Sequence, residues 1–517
     1  MSQNPVPSAP RTADDWQIPT ALMTDHYELT MLQAALKAGT AHRRSRFELF
    51  TRRLPSGRRY GVVAGVGRAL EGLSRFRFDT PELDFLADTT ALDDATLAWL
   101  ADYEFTGDIV GYAEGEAYFP HSPLLQVEST FAEACILETY LLSIYNYDSA
   151  VASAASRMTA VADGRPCAEM GSRRTHEESA VAAARAAAIA GFTATSNLEA
   201  GRRYGIPTVG TAAHSFTLLH DSERAAFEAQ VAALGADTTL LVDTYDVEQG
   251  VRTAVEVAGP ALRNVRVDSG DLVIQAHRVR ELLDELGNTE TGIMVTSDLD
   301  EYAIAALRSA PVSSYGVGTR LVTGSGAPTA SMVYKLVARQ DDDGTWVDVA
   351  KASSGKASRG GRKEAARRRD PRGRATAEVI GVNRGAAPDA DDRPLLHRFV
   401  HAGELAEGWP PVGVAALAGA DRMRARELGN LLEEDDDRDA ERESFDDRPG
   451  YERHGATQSQ GARRHDEGTG HHGHGRDRAG AQPVGPDRCA ERARGRSEKA
   501  VKLASEIDMA TLDRDAR

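Results

Sequence analysis

Residues 239–271 read TLLVDTYDVEQGVRTAVEVAGPALRNVRVDSGD. Two short apolar runs, 238–242 and 264–267, flank a stretch, 247–257, whose apolar residues recur at helical spacing. This is strand, helix, strand. Each run stops on a polar cluster: Asp243, Thr244, Tyr245 and Asp246 after the first, Asp268, Ser269, Gly270 and Asp271 after the second.

The same unit continues on both sides. Upstream, 167–170, 193–196 and 206–210 read as strands, and 222–234 as a helix. Downstream come a helix at 272–286, a strand at 292–296, a helix at 300–309 and a strand at 312–317. Strands alternating with helices imply βα units and a parallel sheet. About seven such units predict an α/β fold closed into a β/α barrel, where functional residues gather at the carboxyl ends of strands.

Those ends carry Glu169, Met170 and Arg173; Thr195, Ser196 and Asn197; Thr211 and His214; Asp243 and Asp246; Asp268 and Asp271; Ser297 and Asp298; and Gly316, Gly318 and Thr319. On one rim they would form a single site. Gly316-Val317-Gly318-Thr319 would let backbone N–H groups approach an anion, although an ordinary tight turn reads the same way. Asp268 and Asp271, three apart around a glycine, can accept hydrogen bonds from a ribose diol or hold Mg²⁺ through water. A helix N-cap would account for one of them. A neutral His214 can act as a base or as a nucleophile toward phosphorus, with Asp243 or Asp246 to orient it. Arg173 has the fork geometry for phosphate or carboxylate. Near the start, Thr24 or Asp25 reads as a helix cap, with Glu28 completing a capping box, and Tyr27 is free to stack on a flat ligand.

Composition narrows the function. The chain has 517 residues, 41 % apolar and 27 % charged, as expected of a globular protein. A net charge of -17 argues against nucleic acid or an anionic membrane as the main partner. Three cysteines cannot make a disulfide framework, which points to a reducing, cytoplasmic setting. No apolar run reaches membrane-spanning length, and the Pro/Ser-rich start lacks the apolar centre of a signal peptide. Order is expected to fail after about residue 411. Residues 433–447 hold ten acidic residues in fifteen, and no Phe, Trp or Tyr follows Tyr451. Short helices at 415–432 and 497–512 are the only elements expected there. His471, His472 and His474 could bind a transition metal, although flexible histidine clusters do so without purpose.

Over about residues 17–405 the sequence resembles nicotinate phosphoribosyltransferase. The matching stretches include LMTDHYELTM at 22–31, FELFTRRLP at 47–55, EMGSRRTH at 169–176, GTAAHSF at 210–216, LVDTYD at 241–246, RVDSGDL at 266–272, YGVGTRL at 315–321 and GGRKEAARRRD at 360–370. The resemblance implies a type II phosphoribosyltransferase fold, an irregular β/α barrel with a second domain from the N- and C-terminal parts. The implied division is a disordered start at 1–16, an N-terminal domain at 17–140, the barrel at 141–345, the rest of the second domain at 346–411 and a low-order tail at 412–517.

The implied reaction joins nicotinate and phosphoribosyl pyrophosphate into nicotinate mononucleotide and pyrophosphate. It is coupled to ATP hydrolysis, with Mg²⁺ carried on substrate phosphates, in a homodimer. In that likeness His214 becomes a phosphohistidine. Asp243 and Asp246 orient it or bound Mg²⁺. Arg266, Asp268, Ser269 and Asp271 lie in the region contacting ribose and phosphate. Gly316, Gly318 and Thr319 cradle the 5′-phosphate, and Arg173 meets the pyridine base. Asp25 and Tyr27 come from the partner subunit, Tyr27 stacking on the ring. Met170 stands where many relatives have Phe, and sulfur can still pack on a ring. Nicotinamide-using relatives carry an acid at the position of Ser196, which would repel a carboxylate. Thr195, Ser196 and Asn197 offer neutral donors there. The alternatives are the same fold acting on nicotinamide or quinolinate, or a phosphometabolite-binding protein with impaired catalysis.

Overall fold

Alternation of inward and outward residues organises the central sheet. The structure, a computed structural model, describes residues 18–351, 358–383 and 392–407. Strands β1 (Cys167–Glu169), β2 (Ala194–Thr195), β3 (Thr239–Leu241), β4 (Asn264–Val267), β5 (Gly292–Ser297) and β6 (Ser314–Val317) are parallel, in the order β2-β1-β6-β5-β4-β3. Leu241 and Met294 both pair with Arg266, and Gly316 pairs with Thr296 and Ala168. The intervening residues, among them Leu240, Val265, Val267, Ile293, Val295, Tyr315 and Val317, belong to the apolar core beneath the surrounding helices. One face is therefore greasy and packed. The other carries Arg266, Thr296 and Gly316 toward the interior of a curled sheet.

The sheet forms an irregular, open barrel of six strands. The expected strand at 206–210 is absent: Thr208 makes one isolated parallel bridge to Thr195. Pro207 has no N–H to give to a ladder, so pairing stops after one step. The edge strands β2 and β3 are not joined to each other.

The functional helices are α1 (His26–Lys37), α2 (Glu138–Val161), α3 (Glu177–Ile189), α4 (Leu198–Tyr204), α5 (His214–Leu219), α6 (Glu223–Leu234), α7 (Val247–Ala258), α8 (Leu272–Glu285), α9 (Glu301–Ala306) and α10 (Thr319–Val322). Asn197, Ser222, Asp246, Asp271 and Asp300 are N-caps whose side chains accept from the first turns of α4, α6, α7, α8 and α9. Each such cap contributes about 1 kcal/mol and sharpens the turn out of the loop before it.

A second, antiparallel sheet has seven strands, in the order Trp346–Asp348, Met332–Gln340, Arg44–Thr51, Leu125–Thr130, Asp108–Tyr112, Leu396–His401 and Glu404–Leu405. Segments that precede and follow the barrel strands in sequence thus share one sheet. Its core includes Phe47 stacked on Tyr334, with ring centroids 4.9 Å apart.

Helix α2 serves both cores. Its first half places Tyr140, Leu141 and Ile144 in the antiparallel core, and its second half places Val151, Ala155 and Met158 under the barrel. Ser149, Ser153 and Ser156 form one helical stripe against residues 60–64. Ser149 Oγ accepts from Ala64 N at 3.1 Å, Ser153 Oγ accepts from Val62 N at 2.9 Å, and Ser156 Oγ meets Tyr60 Oη at 3.0 Å. A stripe at that spacing satisfies an extended backbone that would otherwise be buried unpaired. Arg185 of α3 and Glu114 add a buried two-pronged ion pair, at 2.7 and 2.6 Å.

The capping box expected at the start of α1 does not form. Asp25 is the N-cap but accepts no capping bond. Glu28 is fully buried instead, accepting from Thr139 N at 2.9 Å and from the hydroxyls of Thr139 and Thr24. The expected disordered start and tail, the two helices within that tail, the acidic run and the histidine cluster lie outside the described residues.

Candidate active site

The strand ends bring together a histidine, two aspartates and an arginine. Asp243, just past β3, has a side chain only 1 % exposed. Its Oδ2 accepts from Asp268 N at 2.8 Å and from Ser269 Oγ at 2.7 Å. Its Oδ1 is buried without a hydrogen-bond partner. That atom lies 4.0 Å from His214 Nε2, and Asp268 Oδ2 is also 4.0 Å from Nε2. His214 opens α5 and meets Thr244 Oγ1 through Nδ1 at 3.1 Å. In the tautomer whose Nδ1–H donates to Thr244, Nε2 keeps its lone pair and faces both carboxylates.

Arg266 lies on the same face. Its Nε donates to Thr296 Oγ1 at 2.9 Å and its Nη1 to Thr211 Oγ1 at 3.2 Å, while Nη2 is 3.6 Å from Asp268 Oδ1. Thr296 in turn donates to Asp268 Oδ1. Thr211 and Thr244 belong to the strand-end clusters expected from the sequence, whereas Thr296 was not singled out there, because threonine in a strand also reads as ordinary β preference. Alternation from Met294 would have placed Thr296 inward.

Glycines close the far wall. A Cβ on Gly316 would sit 2.5 Å from Thr296 Cγ2 and 2.7 Å from Met170 Sδ, so only glycine fits between them. Met170 therefore borders the interior beside Gly316. Gly318 approaches Met170 O, and a Cβ there would lie 3.3 Å from it. Thr319 begins the short α10.

The β1 and β2 ends support each other. Glu169 is buried and takes hydrogen bonds from Thr195 Oγ1 and Gly171 N. Burial raises its carboxyl above the ordinary range despite those bonds. Asn197 caps α4 and donates to Ser172 Oγ at 3.0 Å. Of the three neutral donors expected here, Thr195 and Asn197 are thus engaged in the wall. Ser196 alone is exposed, with its N–H on Glu169 O at 2.8 Å. Arg173 is exposed on the Ser172–Arg174 turn.

Asp246 and Asp271 are exposed helix caps, accepting from Gln249 N at 2.9 Å and Ile274 N at 3.1 Å. Among the described residues no ion pair joins either of them to His214. Nearby, Glu223 opens α6 with Oε1 buried and unpartnered. Burial, then Asp246 and Asp243, push its carboxyl up to about 7. Asp25 and Tyr27 sit apart from this set, on α1, whose Leu29, Leu32 and Ala35 pack into the antiparallel core. Tyr27 is 45 % exposed, and burial of its hydroxyl beside Glu138 pushes it up to about 12, so it stays neutral. Among the described residues no group of three or more His, Cys, Asp or Glu side chains is arranged to hold a metal ion. No helix among them is long and apolar enough to cross a membrane.

Comparison with known proteins adds to this geometry. The family model for the nicotinate phosphoribosyltransferase (NAPRTase) N-terminal domain matches residues 22–146. A nicotinate phosphoribosyltransferase of Mycobacterium tuberculosis is 56 % identical over 438 residues, 83 % of this chain and 95 % of the relative. The Bacillus subtilis nicotinate phosphoribosyltransferase is 38 % identical over 343 residues, 65 % of this chain and 70 % of the relative. The crystal structure of human nicotinic acid phosphoribosyltransferase superposes with a TM-score of 0.66 at 25 % identity, covering 78 % of this chain and 94 % of that one. The Pyrococcus furiosus nicotinate-nucleotide pyrophosphorylase shares the fold, with a TM-score of 0.64 at 23 % identity over 81 % of this chain and 97 % of that one.

Proposed function

The chain belongs to the nicotinate phosphoribosyltransferase family, and from that footing we propose that it works through a phosphorylated His214 at the mouth of the barrel. The enzyme joins nicotinate to phosphoribosyl pyrophosphate. The pyridine nitrogen forms a bond to ribose C1 as the C1–O bond to pyrophosphate breaks, giving nicotinate mononucleotide. The observation that carries the histidine reading is the setting of Nε2, with Asp243 Oδ1 and Asp268 Oδ2 each 4.0 Å away and Thr244 holding Nδ1. ATP gives its γ-phosphoryl group to Nε2 and leaves as ADP. Hydrolysis of the phosphohistidine then draws the transfer toward product.

Asp268 and Ser269 receive the ribose and phosphate end of phosphoribosyl pyrophosphate, with Arg266 behind them. Gly316, Gly318 and Thr319 face the 5′-phosphate. Asp243, through its bare Oδ1, and Asp268 would hold Mg²⁺ carried on the substrate phosphates, where it would offset their charge. Arg173 and the neutral Ser196 favour the carboxylate of nicotinate over an amide. Asp246 and Asp271 act through the helix starts they cap.

Asp25 and Tyr27 complete the site of a second subunit in a homodimer. Exposed apolar side chains support this pairing. Ile18, Leu22, Met23, Tyr27 and Met31 cluster around the start of α1, and Leu198, Val209, Leu218, Leu219 and Tyr245 lie on loops and helices after the β2 and β3 strands. A cytoplasmic location accompanies this reading, supported by the free, buried thiols of Cys135 and Cys167.

The test is product formation from labelled nicotinate, with and without ATP, for the parent protein and His214→Ala. The parent is expected to be stimulated by ATP and to carry acid-labile phosphate from γ-labelled ATP. His214→Ala is expected to lose both and keep some ATP-independent transfer. Undiminished labelling of the variant would overturn the assignment.

A further inference from the structure

We propose that Thr296 is a positioning residue that holds Arg266 and Asp268 apart, keeping Asp268 available to phosphoribosyl pyrophosphate. The proposal rests on the reading of Asp268 as a substrate contact. Thr296 is the last inward residue of β5 and is 3 % exposed. Its hydroxyl has one proton to give. Arg266 Nε can only donate, at 2.9 Å, and the carboxylate of Asp268 can only accept. The proton of Thr296 must therefore point to Asp268 Oδ1, while its lone pair takes the guanidinium N–H.

This relay has two consequences. Asp268 Oδ1 is engaged by Thr296, which leaves Oδ2 turned to His214 Nε2 at 4.0 Å. Arg266 Nη2 remains 3.6 Å from Oδ1, longer than a charge-assisted hydrogen bond. Without the hydroxyl, the guanidinium and the carboxylate would close into a direct pair, and Asp268 would be neutralised before substrate arrives. Thr211 fixes the other side of the guanidinium at 3.2 Å, so the closing motion falls on Asp268. The methyl of Thr296 has a separate task, packing where Gly316 leaves room.

Three substitutions separate hydroxyl from shape. Thr296→Val keeps the volume and removes the hydroxyl. Thr296→Ser keeps the hydroxyl and removes the methyl. Thr296→Ala removes both and stands in if the valine variant fails to fold. Thr296→Val is expected to raise the KM for phosphoribosyl pyrophosphate about tenfold while the KM for nicotinate moves by less than about twofold, and Thr296→Ser to stay near the parent.

Asp268→Asn is measured beside them, and the Thr296→Val/Asp268→Asn double variant is expected to be no worse than Asp268→Asn alone. An unchanged KM in Thr296→Val, or a serine variant as defective as the valine one, would overturn the proposal while Asp268→Asn remains defective. An unchanged KM in Asp268→Asn would instead remove the reading on which it rests.

Discussion

Asp243 Oδ1 lies 4.0 Å from His214 Nε2, buried and with no hydrogen-bond partner of its own. The other oxygen of the same carboxylate is fully used by Asp268 N and Ser269 Oγ. A buried carboxylate oxygen left bare is costly unless something fills its place during function. Asp243→Asn keeps an acceptor for Asp268 N, so the loop should hold. The charge facing Nε2 is lost. Labelling of His214 by γ-labelled ATP is expected to slow about a hundredfold, with the melting midpoint nearly unmoved. Labelling at the parent rate would show that the bare oxygen does not serve the histidine.

Subunit complementation tests the proposed homodimer and its divided site. His214→Ala lacks the barrel-mouth nucleophile, and Tyr27→Ala lacks the ring carried on α1. Each homodimer is expected to be impaired in ATP-coupled synthesis. A mixed dimer would contain one site with both groups intact, so mixing after mild dissociation should restore up to about a quarter of the parent rate, one intact site in half of the dimers. No recovery in verified mixed dimers would place Tyr27 outside the partner's site.

Both strand–acid–helix turns in 239–271 are written D-x-x-D, and the sequence treats their two aspartates alike. The structure separates them. The first, Asp243 or Asp268, stays on the strand end and faces His214. The second, Asp246 or Asp271, caps the next helix. The strand and helix pattern was legible because alternation and polar punctuation are local properties of the chain. The division of labour between the aspartates depends on where the helix begins. The threonine relays were hidden because a hydroxyl's partner sits on a neighbouring strand: Thr296 meets Arg266 thirty positions earlier in the chain. The run at 206–210 looked like a strand because its apolar content outweighs one proline in a pattern count, yet that proline removes the donor the ladder needs. Asp25 and Tyr27 gained a place in this site only from the family resemblance, since within one chain they are exposed at the start of α1, a helix that packs into the other core.

Substrate choice can be tested at Ser196. It is exposed beside Glu169, with its N–H already engaged by Glu169 O. Ser196→Asp introduces a second acid where a pyridine carboxylate is proposed to lie. The kcat/KM for nicotinate is expected to fall about tenfold or more, and that for nicotinamide to fall less or to rise. Competition between the two bases reads the ratio directly. An unchanged ratio would place Ser196 away from the base.

The Arg185–Glu114 pair bears on stability. Both side chains are at least 95 % buried, and Glu114 also accepts from Gly65 N at 2.9 Å. Burial alone would raise the Glu114 carboxyl, but Arg185 and the backbone donors override it and hold it below the usual range. Its stabilising effect is present above the pKa of the unfolded chain and is lost as pH falls through the lower folded value. Glu114→Ala removes the two-pronged carboxylate from a buried guanidinium and is expected to cost about 3–5 kcal/mol. Denaturant unfolding at pH 7 measures this, and a loss below about 1 kcal/mol would show that the two-pronged pair is not what holds Arg185.

Glu223 titrates in the opposite sense. Burial first, then the nearby Asp246 and Asp243, push its carboxyl up to about 7. The folded chain therefore holds this proton at pH values where the unfolded chain has released it, and stability declines as pH rises from about 4.3 to about 7. Above that window the buried charge is a standing cost. Glu223→Gln keeps the shape of the protonated acid and carries no charge, so it removes that cost. Since Glu223 is only half-buried, solvent screening limits the gain to about 1 kcal/mol. The variant is expected to match the parent near pH 4 and to exceed it at pH 8, with a flatter stability profile between. Parallel profiles for the two proteins from pH 5 to 8 would mean that Glu223 is ionised throughout and that its neighbours do not govern it.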